Sequence, residues 1–318
     1  MSKFSTALAG LVLCVACAIP AQADPSDISG MAKLGPQSFV TVTDAKAKSE
    51  KPRFHVLTLD AKGVHYLPVS IDSWLPDATQ DDKLTRSSDL EAICQVPGQP
   101  NTYFALESGY WKKSGGRAFV VRFEHHPLQG WQAIVEDIFQ PLPQPASGET
   151  EDAQQIEGAA AVRDGEETTF LLLGLRGNKE TPGQLILGQL DKDLKFKELA
   201  RHEIDLRPFT NNGRSCSDLA LQPVAPNKYL VLFAAANDHG DLGPFYSSIC
   251  RVGTLEIKPQ GVNLDLDAEP HEIYRLDGLK VEAICPSLPS DDQPQLFIGT
   301  DDESFAPVFR ALPIAPEE

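Results

Sequence analysis

One short word recurs along the chain at nearly constant spacing. It reads Ile28-Ser29-Gly30-Met31, Leu90-Glu91-Ala92-Ile93, Ile156-Glu157-Gly158-Ala159, Ser217-Asp218-Leu219-Ala220 and Val281-Glu282-Ala283-Ile284. Its second position falls at 29, 91, 157, 218 and 282, at intervals of 62, 66, 61 and 64 residues. A period of this length in a chain without low-complexity tracts marks a repeat architecture, in which each unit is a supersecondary element that cannot bury its apolar faces alone.

Every unit continues in the same order. A second apolar run follows a turn (SFVTVT, YFAL, TFLLLGL, YLVLFA, QLFIG), then a third (FHVLTL, AFVVRF, QLILGQL, SSICRV, VFRALPI). A more polar fourth run closes the first four units, Val64–Ile71 in the first of them. The runs are short and rich in β-branched and aromatic residues, and no helical period is sustained, so each unit predicts an antiparallel sheet of up to four strands. Radial repetition of such sheets protects their edges, which makes the expected fold an all-β propeller of five mostly four-stranded blades, with six blades as the alternative. The fifth unit ends after its third run and predicts a blade of three strands, or one completed by another segment.

Residues 1–23 read as a secretory leader: Lys3, an apolar stretch over 7–19, and Ala21-Gln22-Ala23 before the expected cleavage. The apolar stretch is too short for a comfortable membrane span, and a cysteine-anchored lipoprotein is the lesser alternative. The expected product is a single propeller domain over 24–318, periplasmic or secreted. Cys94, Cys216, Cys250 and Cys285 remain in it. Export makes disulfides plausible, and four cysteines allow three full pairings.

The chain carries a formal net charge of −17, one unit more negative once Lys3 leaves with the leader. Such a surface repels polyanions, which excludes the electrostatic footprint of a nucleic-acid binder, and it favours cations and basic ligands.

In a propeller the start of each innermost strand, the end of the second strand and the loop to the third lie on one face. Glu91, Glu157, Asp218 and Glu282 are therefore expected to ring the mouth of the central channel, with Ser29 in the fifth place. Oxygen donors in a ring suit calcium or magnesium, which makes these four the candidate metal ligands. The competing reading is that each carboxylate accepts backbone N–H bonds from the next blade and closes the ring. The ends of the second strands add Asp44, and with it the candidate ligand-binding residues Glu107, Arg176, Asn237, Asp238, Asp301 and Asp302. His239, flanked by Asp238 and Asp241, is the one histidine expected on this face and the candidate general base or metal ligand. Small residues after the acid fit where strands converge on an axis. No Gly-x-Ser-x-Gly elbow, His-Glu-x-x-His helix or Walker loop occurs, so a nucleophilic mechanism finds no motif.

The ordered set of Asp89-Leu90-Glu91-Ala92, Glu107 to Arg117 (ESGYWKKSGGR), Ile156-Glu157-Gly158 with Gly174 to Gly177 (GLRG), Asp218-Leu219-Ala220 and Val281-Glu282-Ala283 with Asp301-Asp302 resembles a secreted bacterial domain family of unknown function. It is similar in style to phytase-like and esterase-like propellers. The resemblance spans nearly the whole expected mature chain and implies a propeller. The phytase-like relatives imply calcium and phosphoester hydrolysis, whereas this rim lacks the dense lysine and arginine set such a substrate needs. The sequence thus predicts an exported propeller binding a small-molecule or protein ligand at its acidic face, with or without a divalent cation. The alternative is a metal-dependent phosphoester or ester hydrolase using the same carboxylates.

Overall fold

Alternation decides how the strands are buried. In Tyr103-Phe104-Ala105-Leu106, Tyr103 and Ala105 point into one apolar layer and Phe104 and Leu106 into the next. A sheet apolar on both faces must be sandwiched on both sides, and a ring of sheets satisfies that for every member. In the computed structural model the chain forms a five-bladed β-propeller. The structure describes residues 27–46, 49–73, 87–109, 116–143, 151–165, 168–238, 240, 242–259, 261–287, 295–302 and 305–313. The expected leader and His239 lie outside the described residues, and no helix among them is long and apolar enough to cross a membrane.

Blade one holds β1 (Gly30–Gly35), β2 (Ser38–Val42), β3 (Phe54–Asp60) and β4 (Gly63–Pro68). Blade two holds β6 (Leu90–Gln95), β7 (Thr102–Glu107), β8 (Ala118–His126) and β9 (Gly130–Phe139). Blade three is β10 (Ile156–Asp164), β11 (Thr168–Leu175), β12 (Gly183–Leu190) and β13 (Phe196–Ile204). Blade four is β14 (Asp218–Ala225), β15 (Lys228–Asp238), β16 (Phe245–Lys258) and β17 (Gly261–Arg275). Blade five has three strands among the described residues, β18 (Val281–Pro286), β19 (Gln295–Thr300) and β20 (Phe309–Pro313). The innermost strands β1, β6, β10, β14 and β18 each touch two others and close the ring. At the seam between blades five and one, the Ile28 N–H donates to the Thr300 carbonyl at 3.2 Å.

One strand departs from the expected pattern. The run Val64–Ile71 predicts a single outer strand, but β4 stops at Pro68, which has no N–H to donate. After Val69 the chain starts β5 (Ser70–Ser73), which pairs parallel with β9 on the outer edge of blade two.

Five apolar clusters fill the five gaps between blades. Near the axis the packing demands small residues. A Cβ on Gly158 would stand 2.4 Å from the Leu219 backbone nitrogen of the next blade, and one on Gly30 would stand 2.8 Å from the Glu91 carbonyl. Cys94, Cys216, Cys250 and Cys285 are all buried, and no disulfide joins any of them. Burial raises the Cys94 and Cys216 thiols above their ordinary range and pushes Cys250 up to about 12.

Candidate functional site at the channel mouth

Pairing register separates the members of the acidic ring. In blade two Leu90 pairs with Glu107 and Ala92 with Leu106, leaving Glu91 as the extra residue of a β-bulge. Glu157 is extra between the pairs Ile156–Leu175 and Gly158–Gly174, and Glu282 between Val281–Thr300 and Ala283–Gly299. A bulge re-aims the side chain of its extra residue. Asp218 has no bulge: it pairs with Ala234 and the next residue, Leu219, with Phe233. Ser29 of blade one precedes β1, its N–H donates to the Val42 carbonyl, and it is buried.

That difference divides the roles. Asp218 is buried, and its two carboxylate oxygens accept the N–H of Leu219 and, across to blade five, the N–H of Ile284, both at 2.7 Å. It serves as a ring-closing brace. Of the three bulged glutamates, Glu91 and Glu282 line a cavity of about 270 Å³ together with Asp44, Lys46, Asp89, Asp152, Gln155, Arg176, Arg214, Lys280 and Asp301, and Glu157 lies on two of those side chains, Arg176 and Arg214.

Backbone bonds of one kind set this lining in three blades. Ser108 N–H donates to the Asp89 carbonyl at 2.9 Å, Arg176 to Gln155 at 2.9 Å, and Asp301 to Lys280 at 3.1 Å. Each bond joins the end of a second strand to the residue two places before the glutamate. Arg176 Nη1 then reaches Gln155 Oε1 at 2.9 Å and Glu157 Oε1 at 3.5 Å, and its Nε lies 3.7 Å from Asp152. Arg214 Nη1 lies 2.8 Å from Glu282 and 3.5 Å from Glu157, and Lys280 Nζ lies 3.1 Å from Asp301 and 3.4 Å from Glu282. Lys46 pairs with Asp89 and, at 3.4 Å, with Asp44. Asp89 sits in the left-handed region at φ +65° and also accepts from the Ser108 hydroxyl.

Glu91 stands apart. Among the described residues its carboxylate makes no hydrogen bond and no ion pair. Burial raises it well above the ordinary carboxylate range, and Glu157, Asp89, Glu282 and Asp44 raise it further. Burial likewise pushes Glu157 up, to about 7, because Arg176 and Arg214 only partly offset it and Glu282 and Asp89 act against them. The mouth therefore holds protons that free carboxylates would release.

The other sequence-predicted residues are spread more widely. Asp301 and Arg176 line the cavity. Glu107 does not; it is fully buried, takes both Nε and Nη2 of Arg117 at 2.8 and 2.7 Å, and accepts the Ser88 N–H at 2.8 Å. Asp302 is buried too, accepting from the Lys280 N–H and the Thr300 hydroxyl, both at 2.8 Å. Asn237 donates to the Asn211 carbonyl at 3.1 Å, and Asp238 ends β15. Sequence reasoning passed over Lys46, Asp89, Gln155, Arg214 and Lys280. A signal existed for three of them: Asp89, Gln155 and Lys280 stand two residues before the repeated glutamate.

The donor set does not suit the calcium or magnesium expected of an acidic ring. Glu157, Glu282, Asp301 and Asp89 already hold arginine or lysine, which leaves Glu91 as the uncommitted carboxylate, while a hard cation needs several oxygens. Among the described residues no group of three or more His, Cys, Asp or Glu side chains is arranged to hold a metal ion.

No protein-family model matches the chain, and no curated protein is similar to it in sequence. Among solved structures it is similar to a Bombyx mori GH32 beta-fructofuranosidase mutant in complex with sucrose, at 10% identity over 91% of this chain and 61% of that one, with a TM-score of 0.46. It is also similar to an endo-arabinase from Bacteroides thetaiotaomicron, at 12% identity over 93% of this chain and 99% of that one, TM-score 0.46, and to Chaetomium thermophilum Sqt1, at 11% identity over 92% and 73%, TM-score 0.35. The chain thus spans about three fifths of the length of the first. No activity is carried over from any of them.

Proposed function

We propose that the propeller binds a small, positively charged organic ligand at the mouth of its central channel, with Glu91 as the counter-charge. The observation that carries this reading is the contrast among the three bulged glutamates. Glu157 and Glu282 each face basic side chains at 2.8 to 3.5 Å, whereas Glu91 is aimed at the same cavity with no ion pair among the described residues. A carboxyl crowded by Glu157, Asp89, Glu282 and Asp44, with Lys46 offsetting them only in part, is costly to ionise, and a ligand cation relieves that cost. The cavity is near the lower end of small-ligand pockets in size. The net charge of −17 supports attraction of a cation to this face. Calorimetric titration with ethylamine, set beside calcium and magnesium, tests the reading. Amine binding that is lost in Glu91→Gln supports it; binding of the divalent ions with none of the amine overturns it.

A hydrolytic reading rests on the raised carboxyls of Glu91 and Glu157, since an acid protonated near neutral pH is the proton donor that bond cleavage needs. Turnover of a carboxylic ester or phosphoester that disappears in Glu91→Gln, with binding of the substrate retained, would place the protein in that class. A screen without turnover at high protein concentration leaves binding as the function.

A further inference from the structure

The channel has a second end. A cavity of about 480 Å³ lies on the axis and draws its lining from all five innermost strands. Met31, Ile93, Ala159, Ala220 and Ile284 each stand two places after the repeated position of the word, so the wall begins just past the carboxylates of the mouth. It runs on to Gln95 and Pro286, the last residues of β6 and β18. Those strands start at the mouth and Gln95 is exposed, so the cavity opens on the opposite face. The linings of the two cavities share no residue.

Its chemistry inverts that of the mouth. Six carboxylates line the mouth cavity. None lines this one among the described residues, in a chain with 45 acidic side chains; its charged members are Lys33 and Arg163. The Lys33 ammonium donates to the Pro36 carbonyl at 2.6 Å and lies 4.6 Å from the centroids of the Phe39 and Phe297 rings. Neutral groups of this kind fix a cation in place and leave its charge. Arg163, on β10, reaches across to the first turn of blade two, where its Nη1 would stand 3.1 Å from a Cβ on Gly98. Its guanidinium thus sits at the rim, between blades two and three. The rest of the wall is largely apolar, and Ala159, Ala160 and Ala161 leave room that longer side chains would fill. An apolar recess of this size with a few placed polar groups has the make-up of a small-ligand site.

We infer that this end of the channel binds a small alkyl carboxylate, its carboxylate group at Arg163 and its apolar tail along the three alanines toward Ile93 and Ile284. Charge complementarity selects the acid over an amine, and a guanidinium presents the paired N–H donors that a carboxylate accepts. The formal net charge of −17 opposes an anion at long range. Salt screens that repulsion beyond about 10 Å at 0.1 M, so the local lining decides. The site goes beyond the cation site at the mouth and stands or falls without it.

The test is calorimetric titration of the full chain with octanoate and with octanamide, which carries the same tail and no charge. Octanoate should bind, about tenfold or more tighter than octanamide. Arg163→Gln should remove that preference and Arg163→Lys should keep part of it. Ala161→Phe, at a partly buried position of the wall, should weaken both ligands by filling the cavity, with a thermal melt to verify that each variant is folded. Absence of octanoate binding, equal affinity for the two ligands, or a preference that survives Arg163→Gln overturns the proposal. Undiminished binding in folded Ala161→Phe would place the ligand elsewhere and overturns it too.

Discussion

Arg214, in the loop that enters blade four, lies 2.8 Å from Glu282 at the start of blade five and bridges that carboxylate to Glu157 of blade three, 3.5 Å away. One guanidinium thus holds two bulged glutamates from the blades on either side of its own. Because all three side chains are largely shielded, removing the cation leaves charge that water cannot fully solvate.

Arg214→Met is therefore expected to destabilise the fold by about 3 kcal/mol at pH 8. The cost should shrink at pH 5, where Glu157, already pushed up to about 7 in the intact protein, takes a proton instead of remaining as an unpaired anion. Urea denaturation at the two pH values checks both the loss and its direction. An equal loss at the two values would show that Arg214 acts through packing alone.

Glu91→Gln should do the opposite. Its folded-state affinity for protons is raised, so the native protein binds more protons than the unfolded chain, and stability falls as pH rises from about 4.5 upward. The variant should be more stable at pH 8 by about 0.5–2 kcal/mol, while amine binding is lost. A thermal melt beside the calorimetric titration measures both. Reduced stability would contradict the reading of Glu91 as a carboxyl that is costly to ionise. In the intact protein, amine binding should strengthen with pH and release protons.

Asp218→Ala should cost about 2–3 kcal/mol, because two buried N–H donors, on Leu219 and Ile284, lose their acceptor together. Ligand affinity in the surviving folded protein should be unchanged. A folded variant with normal stability would remove Asp218 from the role of brace.

His55 on β3 is buried, and burial holds its ring down to about 4 against an ordinary 6.5. It folds neutral, and the unfolded chain binds the proton first as pH falls. Stability should therefore drop between about pH 6.5 and 4, by about 3 kcal/mol from this group. His55→Gln should flatten that part of the stability profile; an unchanged slope would assign it to the carboxylates.

The blade count, the three strands that the described residues give the fifth blade, and the mouth position of Glu91 and Glu282 were legible because a repeat of about 63 residues and a period-two apolar pattern are both properties of residue order. Pairing register was not. Glu91 and Asp218 occupy equivalent places in the word, yet one is the extra residue of a bulge and the other a paired residue, a difference that depends on what lies across the sheet. Glu107 misled for a related reason: it ends its strand on the expected face, but Arg117 folds back onto it and takes it out of the mouth. The break at Pro68 was readable from proline chemistry, whereas the pairing of Ser70–Ser73 with blade two is a long-range choice. Arg214 had no counterpart in the repeat and so no signal.

Two buried thiols make the molecule its own reporter of opening. Cys216 and Cys250 are fully shielded in the apolar layer between blades three and four, whereas Cys94 and Cys285 also line a cavity among the innermost strands. A thiol reagent can modify the first two only when that layer has parted. Alkylation followed by peptide mass analysis therefore times the parting of blades three and four, without any label being introduced.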